Sequence, residues 1–161
     1  MHPIKEREVF YQALKGMIPS GCMEQYCHWC AVAKPFDTSL EEFSIKNMVV
    51  TPQKVEEADY IFPVAMLHDV VEDGYMTFQQ LEEAFDLTQE QLKAIQALTR
   101  KRGEKYFDYI YRVRQNGLAT VVKLSDLKHN ISRCAQDVEH RWGLLRRYAK
   151  AYAILTDQWE E

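Results

Sequence analysis

Apolar residues recur at helical spacing from one end of this chain to the other. Between Ile4 and Met17 they follow one another at steps of one, three, one and three residues, which predicts an amphipathic helix with a single apolar face. That face carries Val9, Phe10, Ala13, Leu14 and Met17. Pro19, Ser20 and Gly21 then end the helix. Because comparable spacing continues along the chain, we predict an all-α fold.

Two helix starts are marked by polar residues at a fixed spacing. Thr77 with Gln80, and Thr88 with Gln91, have the spacing of a capping box, in which each side chain accepts a hydrogen bond from the backbone of the other residue. These pairs predict helices at residues 78–85 and 89–101. Their core faces carry Phe78, Leu81, Phe85, Leu92, Ile95 and Leu98.

The remaining helices are predicted from periodicity and from Gly and Pro breaks. They cover residues 23–34, 104–115, 118–133 and 138–158, and another begins near residue 53 or at Pro63 and ends at Gly74. In the last helix, the stripe of Trp142, Leu145, Ala149 and Tyr152 is predicted to pack into the core. Residues 36–52 have the weakest pattern. The whole chain, 1–161, is predicted to form one compact multi-helix domain, since single domains commonly run about 100–200 residues.

Charge and hydropathy exclude several classes of protein. A formal charge of -4 and a pI near 5.8 argue against general nucleic-acid binding, which needs a basic face to neutralise phosphates. The first residues contain no apolar signal core, and no run approaches the roughly 18 apolar residues of a membrane span. We therefore expect a cytoplasmic protein that does not contact membranes. Its oligomeric state stays open.

Ionisable residues interrupt the apolar pattern near the middle of the chain. His68 and Glu72 lie four positions apart, as do Asp69 and Asp73, so on a helix they form two stacked pairs along one stripe. The neighbouring residues are apolar, and burying such a stripe is unfavourable unless a divalent cation supplies positive charge. The pattern therefore predicts a metal site. The alternative is an amphipathic helix whose acidic residues face water, with His68 at its boundary.

A second polar group lies in the predicted helix 118–133. Asp126 and Asn130 are four residues apart and therefore share a face. The alternative for Asp126 is a solvated helix charge. His129 is offset from Asp126 by three positions, and we expect it at the surface or its boundary.

The two groups together resemble the motifs of the HD-domain phosphohydrolases. His-Asp-x-x-Glu-Asp, starting at His68, matches the core of that family, and Leu-His-Asp-Val-Val-Glu-Asp resembles the hydrolase domain of the RelA/SpoT-type alarmone enzymes. Val-Lys-Leu-Ser-Asp-x-x-x-Asn, residues 122–130, is similar to the family's second signature. The resemblance covers about 61–133, is weaker at 22–34 and is absent in the tails. It implies an HD domain of the small stand-alone bacterial and phage type.

The resemblance also implies a further histidine ligand from an earlier helix, for which His2 and His28 are available. His2 lies in a terminus that is prone to fray. Tyr26-Cys27-His28-Trp29 is similar to the start of the family's Tyr-x-x-His-Pro-x-x-Val-Ala, with Trp29 in place of the proline. The interval from His28 to His68 is longer than the family usually has, which implies an insertion at about 36–52.

The resemblance implies a complete site. One divalent metal ion would be bound by His28, His68, Asp69 and Asp126, with Mn²⁺ as the leading ion and Fe²⁺, Zn²⁺ or Mg²⁺ as alternatives. Glu72 and Asp73 would be catalytic, accepting a proton and orienting the attacking water. The candidates for substrate binding are Asn130, Lys123, Arg100, Lys101 and Tyr109. Solvated helix charges, and for Tyr109 a core position, are the alternatives.

Three cysteines near His28 support a competing hypothesis. Cys27-x-x-Cys30, with Cys22 shortly before, has ligand types that bind structural zinc. No second Cys-x-x-Cys pair occurs, and thiols at helical spacing are often small core residues. Both interpretations stay open.

The function implied by the resemblance is metal-dependent hydrolysis of a nucleotide phosphoester. Guanosine 3',5'-bis(diphosphate) is the leading substrate, with loss of its 3'-pyrophosphate. The basic Gly-Gln-x-Arg-Lys type of stretch that alarmone hydrolases carry before the first histidine is replaced here by residues 15–21. Another nucleotide, such as a nucleoside monophosphate or a phosphorylated dinucleotide, is therefore the first alternative. A non-enzymatic metal-bound sensor or interaction module is the second, and the presence of both Glu72 and Asp73 argues against it.

Overall fold

The computed structural model describes residues 3–40 and 52–159. Over those ranges the chain forms eight α-helices, two short 3-10 helices and no β-strand, which confirms the all-α prediction. The α-helices are α1 (Pro3–Met17), α2 (Met23–Ala33), α3 (Pro52–Leu67), α4 (Phe78–Ala84), α5 (Gln89–Leu98), α6 (Tyr106–Arg114), α7 (Gly117–Ala135) and α8 (Val138–Leu155). The 3-10 helices are Ser20–Cys22 and Lys34–Phe36.

Both capping boxes form as predicted. Thr77 Oγ1 accepts from the backbone N–H of Gln80 at 3.1 Å, and Gln80 Oε1 accepts from the backbone N–H of Thr77 at 3.0 Å. Thr88 and Gln91 make the equivalent bonds at 3.1 and 2.9 Å. Each box satisfies two backbone donors that a helix start leaves without intrahelical partners. These local signals fix the starts of α4 and α5.

Helix α7 is the centre of the packing. It contacts α2, α3, α5, α6 and α8, and each of these helices turns an apolar face towards it or towards its neighbours. Fully buried side chains from these elements include Trp29, Phe62, Met66, Ile95, Ile110 and Leu127. Burying apolar side chains of this size stabilises a fold by about 1.5–3 kcal/mol each. The polar residues of α2, α3 and α7 are therefore brought close together by the same core.

Two predicted apolar stripes differ from the observed packing. In α1, Val9 is 58% exposed and Ala13 is also exposed, while Phe10, Leu14 and Ile18 face the core. In α8, Trp142 is 56% exposed and Ala149 is exposed, while Ala151, Ile154 and Leu155 are buried. The backbone of Arg141 departs from helical geometry (φ -119°, ψ 16°), so the first turn of α8 does not continue the direction of the rest. Each stripe is therefore correct only in part: Phe10, Leu14 and Met17 of α1 and Tyr152 of α8 pack into or against the core, and the exposed residues named above do not.

The segment that follows α2 is anchored by a buried ion pair. Arg7 Nε lies 3.0 Å from Asp37 Oδ1, and the same guanidinium contacts Thr38 and Asp59. Tyr11 donates a hydrogen bond to Asp37 at 2.6 Å. The predicted insertion at 36–52 falls largely on residues 41–51, which lie outside the described residues. That residues 1–161 form one domain stays a prediction.

No helix in the described part of the chain is both long enough and apolar enough to cross a membrane.

Candidate metal centre

The stretch that carries His68, Asp69, Glu72 and Asp73 is not the continuous helix that the sequence predicted. Helix α3 ends at Leu67, and residues 68–74 form turns. His68 Nδ1 lies 2.6 Å from the carbonyl of Ala65, the group that the N–H of Asp69 would use in a continuing helix. A side chain that bonds a backbone carbonyl in this way competes with the helix ladder. The prediction of two stacked pairs on one helical stripe is therefore wrong.

These turns nevertheless have a defined end. The backbone N–H of Gly74 donates to Val71 at 3.1 Å and that of Tyr75 to Val70 at 3.0 Å, which is the bonding pattern of a Schellman motif. Gly74 has φ +82°, a conformation that glycine adopts without steric cost. The prediction that the helix itself ends at Gly74 is wrong, because α3 ends at Leu67, but Gly74 does end the turns that follow. The motif fixes the direction in which Glu72 and Asp73 leave the backbone.

Four side chains from three elements meet at one point. His28 comes from α2, His68 and Asp69 from the end of α3, and Asp126 from α7; one donor atom of each lies within 4.8 Å of the others. His28 Nε2 is 2.7 Å from Asp126 Oδ1, and His68 Nε2 is 3.0 Å from Asp69 Oδ2 and 3.5 Å from Asp126 Oδ1. The structure thus brings together all four residues that were predicted to bind a metal ion.

His68 has the orientation of a metal ligand. Its Nδ1 donates to the Ala65 carbonyl, so Nε2 is the ring nitrogen that faces the cluster and could bind a metal ion. Nε2 is buried, and its contacts with the oxygens of Asp69 and Asp126 do not have hydrogen-bond geometry. Buried polar atoms in native proteins nearly always have a partner. Two imidazoles and two carboxylates are suitable ligands for a metal ion, and this group can hold one. A metal ion would also give the buried His68 Nε2 a partner.

The charges around the cluster also favour a cation. Burial opposes protonation of His68, but the charges of Asp69 and Asp126 outweigh it and raise its pKa well above the ordinary value. For Asp126, burial favours the neutral acid, but the Lys123 ammonium and the two histidines hold its pKa well below the usual range. The carboxylate of Asp126 is therefore ionised at neutral pH and can bind a cation.

Lys123 and Asn130 also contact the carboxylate of Asp126. Lys123 Nζ donates to Asp126 Oδ2 at 2.7 Å, and Asn130 Nδ2 lies 3.4 Å from Asp126 Oδ1. Lys123 is buried, which differs from the alternative that this charge faces water. Asn130 contacts a candidate ligand and lines the cleft, as expected for a group that orients either the carboxylate or a substrate.

His129 lies closer to the site than the sequence indicated. Its Nδ1 is 2.6 Å from Nδ1 of His28, on the side of that ring away from the cluster. Burial and the nearby His28 and Arg133 lower the pKa of His129, so its ring is neutral and its nitrogen can accept a hydrogen bond. The expectation of a histidine at the surface or its boundary agrees with the half-buried position of His129, but the contact with His28 was not predicted.

Glu72 and Asp73 lie beside the four donors. Burial raises the pKa of both carboxyls, and for Asp73 the charges of Asp69 and Glu72 add to the effect and bring its pKa to about 6. Glu72 Oε1 accepts the backbone N–H of Arg100 at 2.8 Å, so the loop after α5 holds this carboxylate in place. Carboxylates with such raised pKa values can accept a proton near neutral pH.

Glu72, Asp73 and three of the four donors line an open cleft of about 350 Å³, and the fourth donor, His68, is buried behind them. Its walls add three cationic side chains to the acidic floor: Arg100, which was predicted, and Arg133 and Arg147, which were not. Tyr106 and Tyr148 also line it. No motif indicates Arg133 on α7 or Arg147 on α8, so neither residue was predicted to line the cleft. The arrangement places positive charge around a negative centre.

The other two substrate candidates, Lys101 and Tyr109, differ in their relation to the cleft. Lys101 does not line the cleft; its backbone N–H donates to Glu104 at 3.1 Å. Tyr109 is only 3% exposed and its hydroxyl donates to the Leu98 carbonyl at 2.7 Å, so it contributes to the core as well as to the cleft wall. A role for either residue in binding a substrate stays a prediction.

The cysteines do not assemble into a site. Cys22 and Cys27 are exposed and Cys30 is partly buried. Over residues 3–40 and 52–159, the group able to hold a metal ion is His28, His68, Asp69 and Asp126, and it includes no thiol. The hypothesis of a structural zinc site has no support in this region.

A scan against models of known protein families found no match for this chain. A search of curated proteins found no similar sequence either.

Proposed function

We propose that this protein is a metal-dependent phosphohydrolase that acts on a nucleotide. The observation that carries the proposal is the position of two carboxylates with raised pKa values, Glu72 and Asp73, in a cleft beside the four side chains that could hold a metal ion. A metal site alone fits many roles. A metal site flanked by proton acceptors and rimmed by guanidinium groups fits the hydrolysis of a phosphorylated molecule.

The metal ion would be held by His28, His68, Asp69 and Asp126. Mixed imidazole and carboxylate ligands suit Mn²⁺, Fe²⁺ or Zn²⁺, and we take Mn²⁺ as the ion to test first. When bound, such an ion supplies Lewis acidity that activates water and neutralises phosphoryl charge.

The other steps belong to the protein's own side chains. Glu72 is the better placed proton acceptor, because the backbone N–H of Arg100 fixes one of its oxygens and leaves the other for a water molecule. Asp73 is the second acceptor. The guanidinium groups of Arg100, Arg133 and Arg147 hold the anionic substrate against the cleft.

The resemblance of residues 61–133 to the RelA/SpoT-type hydrolase domain makes guanosine 3',5'-bis(diphosphate) the first substrate to test. The experiment measures pyrophosphate release by Mn²⁺-loaded protein, beside Asp69→Ala, Glu72→Ala and the control Glu82→Ala. Glu82 is exposed on α4 and does not line the cleft. We expect Glu72→Ala to lose about 10²–10⁴-fold in rate and Glu82→Ala to keep it.

The alternatives give different results. Turnover of a nucleoside monophosphate or a phosphorylated dinucleotide, but not of the alarmone, would keep the phosphohydrolase and change its substrate. Protein that binds Mn²⁺ but hydrolyses none of these nucleotides would contradict the proposal and favour a sensor or interaction module. A location in the cytoplasm stays a prediction.

A further inference from the structure

The hydroxyl of Tyr106 is a buried polar group without a partner. Its oxygen is covered from solvent and forms no hydrogen bond to any residue in the described ranges. Three residues further along α6, the hydroxyl of Tyr109 donates to the Leu98 carbonyl at 2.7 Å. Leaving a buried hydroxyl unbonded is unfavourable, so an unpaired one in a native fold calls for an explanation.

The position of Tyr106 indicates what the partner is. The residue lines the cleft that contains the candidate metal centre. Burial raises the pKa of its phenol to about 12, so at neutral pH the group is a hydrogen-bond donor. A donor in this cleft needs an acceptor, and the described protein atoms supply none.

Two cations lie over the same ring. The guanidinium carbon of Arg147 is 4.8 Å from the centroid of the Tyr106 ring, and that of Arg100 is 5.5 Å away. Arg147 comes from α8, is exposed and has no carboxylate partner among residues 3–40 and 52–159. Arg100 Nε donates to the Glu104 carbonyl at 2.9 Å, which leaves its terminal nitrogens for another group. Both side chains also line the cleft.

We propose that Tyr106, Arg100 and Arg147 form a phosphate subsite in the cleft wall, in which the Tyr106 hydroxyl donates to a phosphoryl oxygen of the bound molecule. The ligand class is a phosphate ester or anhydride, because its oxygens accept from a hydroxyl and from guanidinium groups at the same time. The inference rests on the proposed function for the identity of the ligand as a phosphorylated molecule. It adds residues that no sequence motif indicated, apart from Arg100.

The test measures the affinity of inorganic phosphate for protein carrying one equivalent of Mn²⁺, by calorimetry, together with the melting temperature. In Tyr106→Phe the ring and its contacts with both cations remain and only the hydroxyl is lost. We expect phosphate affinity to fall about tenfold or more, since hydrogen bonds to charged groups are among the stronger ones. The melting temperature should stay the same or rise, because the change removes an unpaired buried group.

Tyr11→Phe is the matched control. The Tyr11 hydroxyl donates to Asp37 at 2.6 Å, and Tyr11 does not line the cleft. Tyr11→Phe should lower the melting temperature, because it removes this hydrogen bond, and should leave phosphate affinity unchanged. Tyr106→Phe should have the opposite pattern. A second pair of variants tests the role of Arg147. Arg147→Gln should weaken phosphate binding several-fold, whereas Arg146→Gln, at an adjacent residue that does not line this cleft, should leave it unchanged.

Two outcomes would overturn the subsite: wild-type protein that binds no phosphate, or a Tyr106→Phe variant that binds it as well as the wild type does. Neither outcome depends on nucleotide turnover. Failure of the proposed function would instead be seen as phosphate binding that follows the expected variant pattern without hydrolysis of any nucleotide.

Discussion

His129 supports the candidate metal centre through a single contact. For His28 Nε2 to bind a metal ion, the proton of that ring must lie on Nδ1, and the acceptor 2.6 Å away is Nδ1 of His129. Groups that hold a ligand in this way typically contribute 10–100-fold to metal affinity. The role of His129 is to position His28.

We therefore expect His129→Ala to weaken Mn²⁺ binding by about tenfold, measured by calorimetric titration. His129→Asn should restore most of the affinity, because the Asn Oδ1 can accept where the His Nδ1 does. His140→Ala is the control, since His140 is 76% exposed in its side chain. Equal affinities for all three variants and the wild type would show that the contact has no effect on the metal.

Site residues could be predicted from the sequence where they belong to a motif. They could not be predicted where their role depends on burial in the folded protein. His28, His68, Asp69 and Asp126 were identified from residue type, spacing and family resemblance, and the fold brings them together. The burial of Lys123 was not foreseen, because it depends on packing across α6 and α7 that a single sequence does not reveal. The unpaired hydroxyl of Tyr106 has no sequence signal at all, since it is defined by the absence of a partner in space.

At the scale of elements, a bidentate ion pair closes the loop between α5 and α6. Arg112 Nε and Nη2 donate to the two carboxylate oxygens of Glu104, each at 2.9 Å. The same guanidinium donates to the carbonyls of Ala97 at 3.1 Å and Thr99 at 3.0 Å. Arg112 thus donates to carbonyls at the end of α5. These bonds are a reason why the helix ends at Leu98 and not at the predicted residue 101. They also hold the loop that presents Arg100 to Glu72.

We expect Glu104→Gln to lower the free energy of unfolding at pH 7 by about 1 kcal/mol, as for a partly exposed bidentate pair. The bonds to Arg112 depress the pKa of Glu104 to about 2, below its ordinary value of 4.5. The stabilisation is therefore complete above about pH 5 and is lost as the pH falls towards 2.

Urea denaturation of metal-free protein at pH 7 and pH 3, with Glu82→Gln as the control, checks this. The difference in the free energy of unfolding between the wild type and Glu104→Gln should be smaller at pH 3 than at pH 7. A difference that is constant or grows on acidification would contradict the role given to the ion pair.

Elements with local signals were predicted well, and elements shaped by tertiary contacts were not. The capping boxes at Thr77 and Thr88 involve only residues three apart, so their geometry is encoded locally. The end of α3 at Leu67 depends on the contact of the His68 ring with the Ala65 carbonyl, which the predicted helix did not include. The exposed Trp142 directly follows a break in the helix at Arg141. The sequence has neither Pro nor Gly at position 141 to indicate that break.

At the scale of the whole molecule, the candidate metal centre is a product of the core. Helix α7 carries Asp126 and packs against α2, which carries His28, and against α3, which precedes His68 and Asp69. Residues about one hundred positions apart are thus held within hydrogen-bonding distance by apolar contacts around them; His28 and Asp126, at 2.7 Å, are separated by 98 positions. Buried ionisable groups gathered in this way are unfavourable unless they are paired or bind a cation.

The most direct test of the metal centre is a titration of metal-free protein with Mn²⁺. Binding is measured as the loss of the electron paramagnetic resonance signal of the free ion. We predict one bound equivalent in the wild type and in Asp86→Asn, a control variant at an exposed position. Asp69→Asn, which keeps the shape of the side chain and removes one ligand charge, should lose about tenfold or more in affinity. No bound Mn²⁺ in the wild type, or equal binding by Asp69→Asn, would contradict the assignment of His28, His68, Asp69 and Asp126 as the metal centre.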